Sequence, residues 1–403
     1  MDFVNICAII KDMNIENMRI IDNYVGSIIC FFLSGIDRMT RGFKRKQGPV
    51  REILVMKYFG IGSILLSTPM FRALRQKYPK AKITLITFYS NNEICERLEL
   101  ADEYLFLRRD SFRVFARDLM KLLFEFRKHK FSIAIDMEFF SKFSTIITYL
   151  SFARRRVGFY LRNEPRTLLY TNPISFNYYK HVTEVFLALA REVGADTKDM
   201  SLPKMNIYNV ERDFVGQLFC DHKIEKKKKV IINVNVGEMC IERRWPKENF
   251  INLLNLLSKY PDISFLFIGG RDDYNYVRTI IASLSKKDII INLTGETSLG
   301  QLLALFENCD LFITSDSGPL HLAELSDIKT ISFFGPETPI LYGPKGDNHT
   351  MFYKNLYCSP CLNACNVKKA MCGNKRCFEG NNKCLHQISV KEVFDKAKEL
   401  LGF

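Results

Sequence analysis

The chain has 403 residues, of which 47% are hydrophobic and 25% are charged, and this ordinary globular usage excludes wholesale disorder, collagen and coiled coil. Its length predicts two or three domains. The net charge of +14 implies an anionic partner, but the basic residues are spread along the chain instead of forming one stripe with aromatic residues, so we expect no nucleic-acid partner.

The most apolar stretch lies in residues 24–36, within an N-terminal segment of residues 1–47. Thirteen residues rise about 20 Å as a helix, which is too short for the roughly 30 Å hydrocarbon core of a bilayer. Five basic residues follow up to Lys46, and no acid occurs before Glu52; they are Arg38, Arg41, Lys44, Arg45 and Lys46. The pattern favours a helix lying on an anionic membrane face, with packing against the protein itself or a second subunit as an equal alternative.

Residues 1–19 mix acidic and basic side chains, and no small-residue cleavage site follows a charged start. The sequence therefore does not indicate a secretory signal. We expect a cytoplasmic protein, peripheral at the inner face of the cytoplasmic membrane.

From Gly48 onward, buried strands alternate with helical stretches, which is typical of parallel sheets covered by helices. The pattern predicts a first α/β domain at 48–200, a linker at 201–228, a second α/β domain at 229–385 and a C-terminal helical segment at 386–403. Strands are predicted at 52–58, 82–88, 131–136, 230–236, 263–268, 289–293, 310–314 and 329–334. Helices are predicted around 210–222 and at 247–259, 299–308 and 389–401.

Ligands of open parallel sheets bind outside the carboxyl ends of the strands, so the turns after strands are informative. After the first strand come Gly60, Gly62 and Ser63. Two glycines would let the backbone approach a ligand closely, although a tight strand-to-helix turn explains them equally well.

A second turn, Thr314 to His321, follows the strand at 310–314. Its hydroxyl groups and exposed amides suit a diphosphate, and Asp316 could accept a hydrogen bond from a sugar or ribose hydroxyl. Alternatively, Asp316 or Ser317 caps the next helix, and His321 packs on the sheet. On the loop after strand 230–236, Arg243 or Arg244 could neutralise a diphosphate or could be solvated surface.

These residues together resemble glycosyltransferase family 9, the ADP-heptose:lipopolysaccharide heptosyltransferases and their relatives. The most specific match is DLFITSDSGPLHLAELSDIKTISFFGPETP at 310–339. Further matches are ILVMKYFGIGSILLSTPMFRALRQKYP at 53–79, AIDMEFF at 134–140, ARRRVGF at 153–159, RRWPKENF at 243–250 and FLFIGG at 265–270.

The resemblance implies a GT-B fold, with two facing Rossmann-like domains and an interdomain cleft. It implies inverting transfer of a sugar from a nucleotide-sugar such as ADP-heptose to a lipopolysaccharide-core, lipid-linked or oligosaccharide acceptor. Thr314, Ser315, Asp316, Ser317, Gly318 and His321 would hold the donor, with Arg243 or Arg244 at its diphosphate; Gly60 and Gly62 would line the acceptor side. The chain contains no D-x-D triplet, which fits a metal-independent mechanism in which no cofactor is required.

One position departs from the family pattern. The family's first motif usually reads I-G-D, and its Asp is the proposed general base, whereas this chain has Ser63 there. A serine cannot act as a base at neutral pH unaided. Glu138 or Asp136 could serve instead, or the acceptor could differ, or the protein could be a non-catalytic binder of glycans or nucleotide-sugars.

Six of the twelve cysteines crowd into residues 358–384. They include one C-x2-C pair but no partner pair at zinc-ribbon spacing. Zinc could bind Cys358, Cys361, Cys365 and Cys372, while reduced thiols on a loop are the alternative, as expected in a reducing compartment.

Overall fold

The computed structural model describes residues 15–40, 48–237, 240–362, 377 and 381–403. These residues form two compact units, one running to Leu202 and one starting at Pro203. The helix at 209–221, which lies inside the predicted linker, belongs to the second unit, where it packs against the helix at 299–308.

The first unit contains a six-stranded parallel sheet in the order β3-β2-β1-β4-β5-β6. This is the strand order of a Rossmann fold, and its switch point lies between β1 and β4. The central strands are almost wholly apolar and buried, as expected for a parallel sheet covered on both faces. Its strands are β1 (Glu52–Met56), β2 (Lys82–Phe88), β3 (Glu103–Leu107), β4 (Ile133–Asp136), β5 (Arg155–Phe159) and β6 (Asn172–Ile174).

The helices of this unit follow its strands. The amphipathic stretch after β1 is broken into two helices at Ser67, just before Pro69, because proline suits the first turn of a new helix. The helices are α1 (Ile15–Thr40), α2 (Ile61–Leu66), α3 (Thr68–Lys77), α4 (Asn92–Leu98), α5 (Phe112–Glu125), α6 (Lys142–Leu150) and α7 (Val182–Glu192).

The second unit repeats the arrangement, with a parallel sheet in the order β12-β11-β10-β7-β8-β9. Its switch point therefore lies between β7 and β10. Trp245 is fully buried in its core and stacks on Phe333, with ring centroids 4.3 Å apart. The strands are β7 (Lys228–Asn233), β8 (Ile263–Phe267), β9 (Ile290–Asn292), β10 (Leu311–Ser315), β11 (Lys329–Phe334) and β12 (His349–Tyr353).

Several predicted elements of the second unit are confirmed to within one or two residues. The helix at 299–308 and the strand at 329–334 have the predicted bounds, and the last helix begins after Ser389, which forms a capping box with Glu392. The helices are α8 (Asn209–Asp221), α9 (Lys247–Leu257), α10 (Tyr274–Ala282), α11 (Leu299–Asn308), α12 (Gly318–Ala323), α13 (Pro339–Tyr342), α14 (Lys383–His386) and α15 (Val390–Leu401).

The N-terminal helix differs from its prediction. It has 26 residues instead of thirteen, so the argument that it is too short to cross a membrane was wrong. Within it, Asn17–Met39 has a mean hydropathy of 1.4 and is long and apolar enough to span a bilayer. The helix extends past the apolar stretch at both ends, and Asp22 and Asp37, which flank that stretch, contact partners in the first unit.

Candidate functional site

Glu138 joins the two loops at the switch point of the first unit. It lies two residues beyond β4 and is 6% exposed. Its Oε1 atom accepts hydrogen bonds from Lys57 Nζ at 3.0 Å, Tyr58 N at 2.8 Å and Phe59 N at 3.2 Å. The carboxylate is thus placed by the chain that leaves β1, next to the glycine turn.

Asp136, the other predicted carboxylate, is fully buried in a polar network. Its Oδ2 accepts from the Tyr170 hydroxyl at 2.6 Å and from Ser144 Oγ at 2.7 Å, and its Oδ1 accepts from the Glu138 amide at 2.9 Å. Arg166 is also fully buried and lies 3.6 Å from Asp136. Among the described residues, these partners enclose the Asp136 carboxylate completely.

Arg166 completes this network from the other side. Its guanidinium donates to the carbonyls of Glu138 at 2.8 Å and Phe139 at 2.5 Å. Asp136 and Arg166 therefore fix the loop that carries Glu138. Arg166 and Tyr170 were not predicted from the sequence, because they lie outside the turns that follow strands.

Gly60 and Ser63 form the turn after β1. Gly60 has a φ of 89°, the left-handed region that favours glycine, and a Cβ there would lie 3.2 Å from Ser63 Oγ. Gly62 is buried in α2, and Ser63 is partly exposed. The tight turn thus explains Gly60, while Ser63 keeps contact with solvent.

Asp316 and Arg243 form an ion pair beside the switch point of the second unit. Asp316 Oδ2 and Arg243 Nη1 are 3.1 Å apart, and the Asp316 side chain is 5% exposed. Glu337 lies buried close to both, and its burial, followed by the Asp316 charge, raises its pKa to about 8. Among the described residues, these three side chains place one cation beside one carboxylate and a second carboxyl group that tends to be neutral.

The hydroxyl groups of the same turn point into the protein. Asn233 Nδ2 donates to Thr314 Oγ1 and to Ser317 Oγ, each at 3.0 Å, and Ser315 Oγ accepts from the Trp245 amide at 3.1 Å. The Ser317 side chain does not cap the helix that begins at Gly318. The Thr314 and Ser317 hydroxyls join the ends of β7 and β10 through Asn233. They therefore hold in place the turn that carries Asp316.

Arg244 and His321 have partners away from Asp316. Arg244 packs over the Tyr276 ring, 4.2 Å from its centroid, and lies 3.6 Å from Asp273. His321 is buried in α12, where its Nδ1 is 2.8 Å from Glu324 Oε1. Of the two predicted arginines, Arg243 is the one that joins Asp316.

Two further polar side chains follow strands of the second unit and were missed by the sequence analysis. Asn235, after β7, and Thr294, after β9, are nearly buried, and neither the side-chain amide of Asn235 nor the Thr294 hydroxyl has a hydrogen-bond partner among the described residues. Gly269, after β8, lies between them, since its Cβ would be 2.6 Å from Asn235 Nδ2 and 3.2 Å from Thr294 Cγ2. Buried polar atoms of this kind usually have a partner, so they are candidate ligand contacts.

The cysteines give no metal site among the described residues, in which no group of three or more His, Cys, Asp or Glu side chains could hold an ion. Cys358, Cys361, Cys377 and Cys384 are free thiols. Burial, followed by the neighbouring Cys384, raises the pKa of Cys361 to about 12. Cys365 and Cys372, two of the four predicted zinc ligands, lie outside the described residues, so the zinc site stays a prediction.

This chain is similar to known proteins in sequence and in fold. Residues 119–371 match the family model for glycosyltransferase family 9 (heptosyltransferase). A lipooligosaccharide heptosyltransferase 2 of Campylobacter jejuni is 27% identical over 56% of this chain. That match spans 66% of the relative's own length, just under two thirds.

Two solved structures have the same fold. A family 9 glycosyltransferase from Veillonella parvula has a TM-score of 0.69 at 22% identity, covering 88% of this chain and 98% of that one. ADP-heptose lipopolysaccharide heptosyltransferase II of Escherichia coli has a TM-score of 0.65 at 19% identity, covering 87% and 98%. This chain has two six-stranded Rossmann-type sheets, and its likeness to these two structures confirms the predicted GT-B fold class. The chain belongs to glycosyltransferase family 9.

Proposed function

We propose that this protein transfers a heptose from ADP-heptose to a lipopolysaccharide-core or other lipid-linked acceptor. The observation that carries the proposal is the Arg243–Asp316 pair with Glu337, at the switch point of the second unit in a member of this family. The name of the Escherichia coli neighbour supports the donor, and the name of the Campylobacter relative supports the acceptor class.

The second unit would bind the donor. Arg243 would neutralise the diphosphate, whose charge grows as the bond to the sugar breaks, and this stabilisation is strongest in a site that excludes water. Asp316 holds Arg243 in place and would accept a hydrogen bond from a sugar or ribose hydroxyl. Because the Glu337 carboxyl tends to be neutral, it adds little repulsion towards a diphosphate.

The first unit would activate the acceptor. In an inverting transfer, a base removes the proton from the acceptor hydroxyl while that oxygen attacks the anomeric carbon and the nucleoside diphosphate leaves. We assign the base to Glu138, since Asp136 is fully buried and positions the Glu138 loop. Ser63, partly exposed in the neighbouring turn, would contact the acceptor without acting as the base.

A lipid-linked acceptor would place the protein at the inner face of the cytoplasmic membrane, as a peripheral enzyme. The basic net charge supports attraction to that surface. The reaction is proposed to be metal-independent, with Arg243 carrying the positive charge that a cation would otherwise supply.

Titration calorimetry of the full chain with ADP and UDP tests donor binding first. We expect ADP to bind and UDP to bind more weakly. Failure of both nucleotides to bind at millimolar concentration would contradict the proposal. Binding of ADP without any turnover of ADP-heptose would instead support the non-catalytic alternative suggested by Ser63.

A further inference from the structure

The N-terminal helix α1 has two faces of opposite character. One face is turned to the first unit and carries Gly26, fully buried Cys30 and buried Asp37. The other face exposes eight large apolar side chains at helical spacing, including Phe31 and Phe32, which are 67% and 66% exposed. The full set is Tyr24, Val25, Ile28, Ile29, Phe31, Phe32, Ile36 and Met39. We call this set the outer face.

Polar contacts attach the helix to the first unit near its N-terminal end. The Asp22 carboxylate accepts from the amides of Lys142 at 2.9 Å and Phe143 at 2.6 Å, the first residues of α6. Lys142 Nζ donates back to the Asn23 side chain at 3.0 Å. Gly26 allows this approach, because a Cβ there would lie 2.9 Å from Lys142 Cβ.

A second attachment lies near the other end. Asp37 Oδ1 and Arg156 Nη2 are 2.8 Å apart, and both side chains are nearly buried. Between the two attachments, Cys30 packs with Ile146 and Leu169. Asp22 and Asp37 are separated by fifteen residues, or about 22 Å along the axis. Both ends of the helix are therefore fixed to the same unit.

We propose that α1 is an in-plane membrane anchor whose outer face enters the headgroup boundary of an anionic bilayer. A helix attached at both ends to one folded unit cannot also cross a bilayer, although Asn17–Met39 is long enough to do so. A single apolar face with the opposite face on protein matches an interfacial helix.

The positive charge next to α1 identifies an anionic bilayer as the partner of the outer face. Arg38 is exposed at the end of the helix, and in the sequence four more basic residues follow up to Lys46, with no acid before Glu52. Anionic lipid attracts such a segment, whereas a second copy would bring the same positive charges to the interface. The inference does not depend on sugar transfer, because membrane binding is measured without donor or acceptor.

Flotation of the full chain with vesicles tests the proposal. We expect binding to vesicles of phosphatidylcholine and phosphatidylglycerol, weaker binding to phosphatidylcholine alone, and release at high salt. The variant F31S/F32S should lose at least about tenfold in partitioning. The matched control is M120S/F124S, an exposed apolar pair on α5 of the same unit, which should float like the wild type.

Three results would overturn the proposal. They are equal flotation of F31S/F32S and wild type, resistance of the bound protein to carbonate, and a vesicle-free dimer that F31S/F32S dissociates. Thermal melts monitored by circular dichroism verify that both double variants are folded.

Measuring the depth of residue 32 in the bilayer distinguishes a helix that lies in the membrane plane from one that spans the membrane. This measurement leaves most of the outer face intact. In F32W, tryptophan fluorescence above the background of buried Trp245 reports the position of residue 32. Lipids brominated near the headgroup should quench it more than lipids brominated at the chain ends. The reverse order would contradict an in-plane helix.

Discussion

Glu138 accepts a hydrogen bond from the Lys57 ammonium at 3.0 Å, a contact that joins the loop after β4 to the end of β1. Glu138→Gln keeps the size of the side chain but removes its negative charge. If Glu138 is the base, turnover of ADP-heptose should fall about 10²- to 10⁴-fold, while ADP affinity stays unchanged. Steady-state kinetics and calorimetry on the same variant measure both quantities.

The matched control for this variant is Glu125→Gln, which removes an acid from α5 of the same unit. It should retain wild-type turnover. If Glu138→Gln is as active as this control, another group must be the base.

Arg243→Gln removes the cation that faces Asp316. Hydrogen bonds to charged groups are worth about 1.5–3 kcal/mol, so ADP affinity should fall roughly 10- to 150-fold. Arg278→Gln, at an exposed position on α10, is the control and should bind ADP normally. Equal affinities for the two variants would show that the diphosphate lies elsewhere.

The raised pKa of Glu337 leads us to expect a particular dependence of the free energy of unfolding on pH. Its folded pKa of about 8 lies above the ordinary value of 4.5 in the unfolded chain, so the folded state binds the proton more tightly. The resulting stability is fully present below about pH 4.5 and is lost as the pH rises through about 8. Urea unfolding between pH 5 and 9 should show that Glu337→Gln flattens this decline, whereas exposed Glu296→Gln does not. Parallel curves for Glu337→Gln and wild type would refute the assignment.

Tyr170 holds the buried network around Asp136. Its hydroxyl lies within hydrogen-bonding distance of Asp136, Thr145 and Arg166. Tyr170→Phe leaves these groups short of a partner and should lower the free energy of unfolding by about 1–3 kcal/mol. Tyr179→Phe, at a position 87% exposed, should change it by less than about 0.5 kcal/mol. A loss for Tyr170→Phe no larger than for Tyr179→Phe would rule out this role.

The sequence predicted that Asp316 and Arg243 belong to one group of residues, but it did not predict how the side chains around them are paired. The strand-end rule identified Asp316 and Arg243 because position after a strand is a local property of the chain. It could not predict which of the two arginines contacts Asp316. Arg244 instead contacts Tyr276 and Asp273, which lie about thirty residues further along the chain. The full burial of Asp136 likewise depends on Arg166 and Tyr170, which are distant in sequence.

The fold shows the same limit. The apolar strand β1 and the capped helix α15 were predictable because burial pattern and capping are encoded locally. The length of α1 was not, because its flanks mix charged and apolar residues and its contacts through Asp22 and Asp37 are with residues distant in sequence.

The most direct test of the central claim is turnover of ADP-heptose by the full chain with a heptose-deficient lipopolysaccharide acceptor, following ADP release and product mass together. The account predicts ADP release that depends on the acceptor, one added heptose per acceptor, and loss of both in Glu138→Gln. Donor binding with no heptose transfer to that acceptor and no slow hydrolysis, under conditions where the chain is folded, would contradict it.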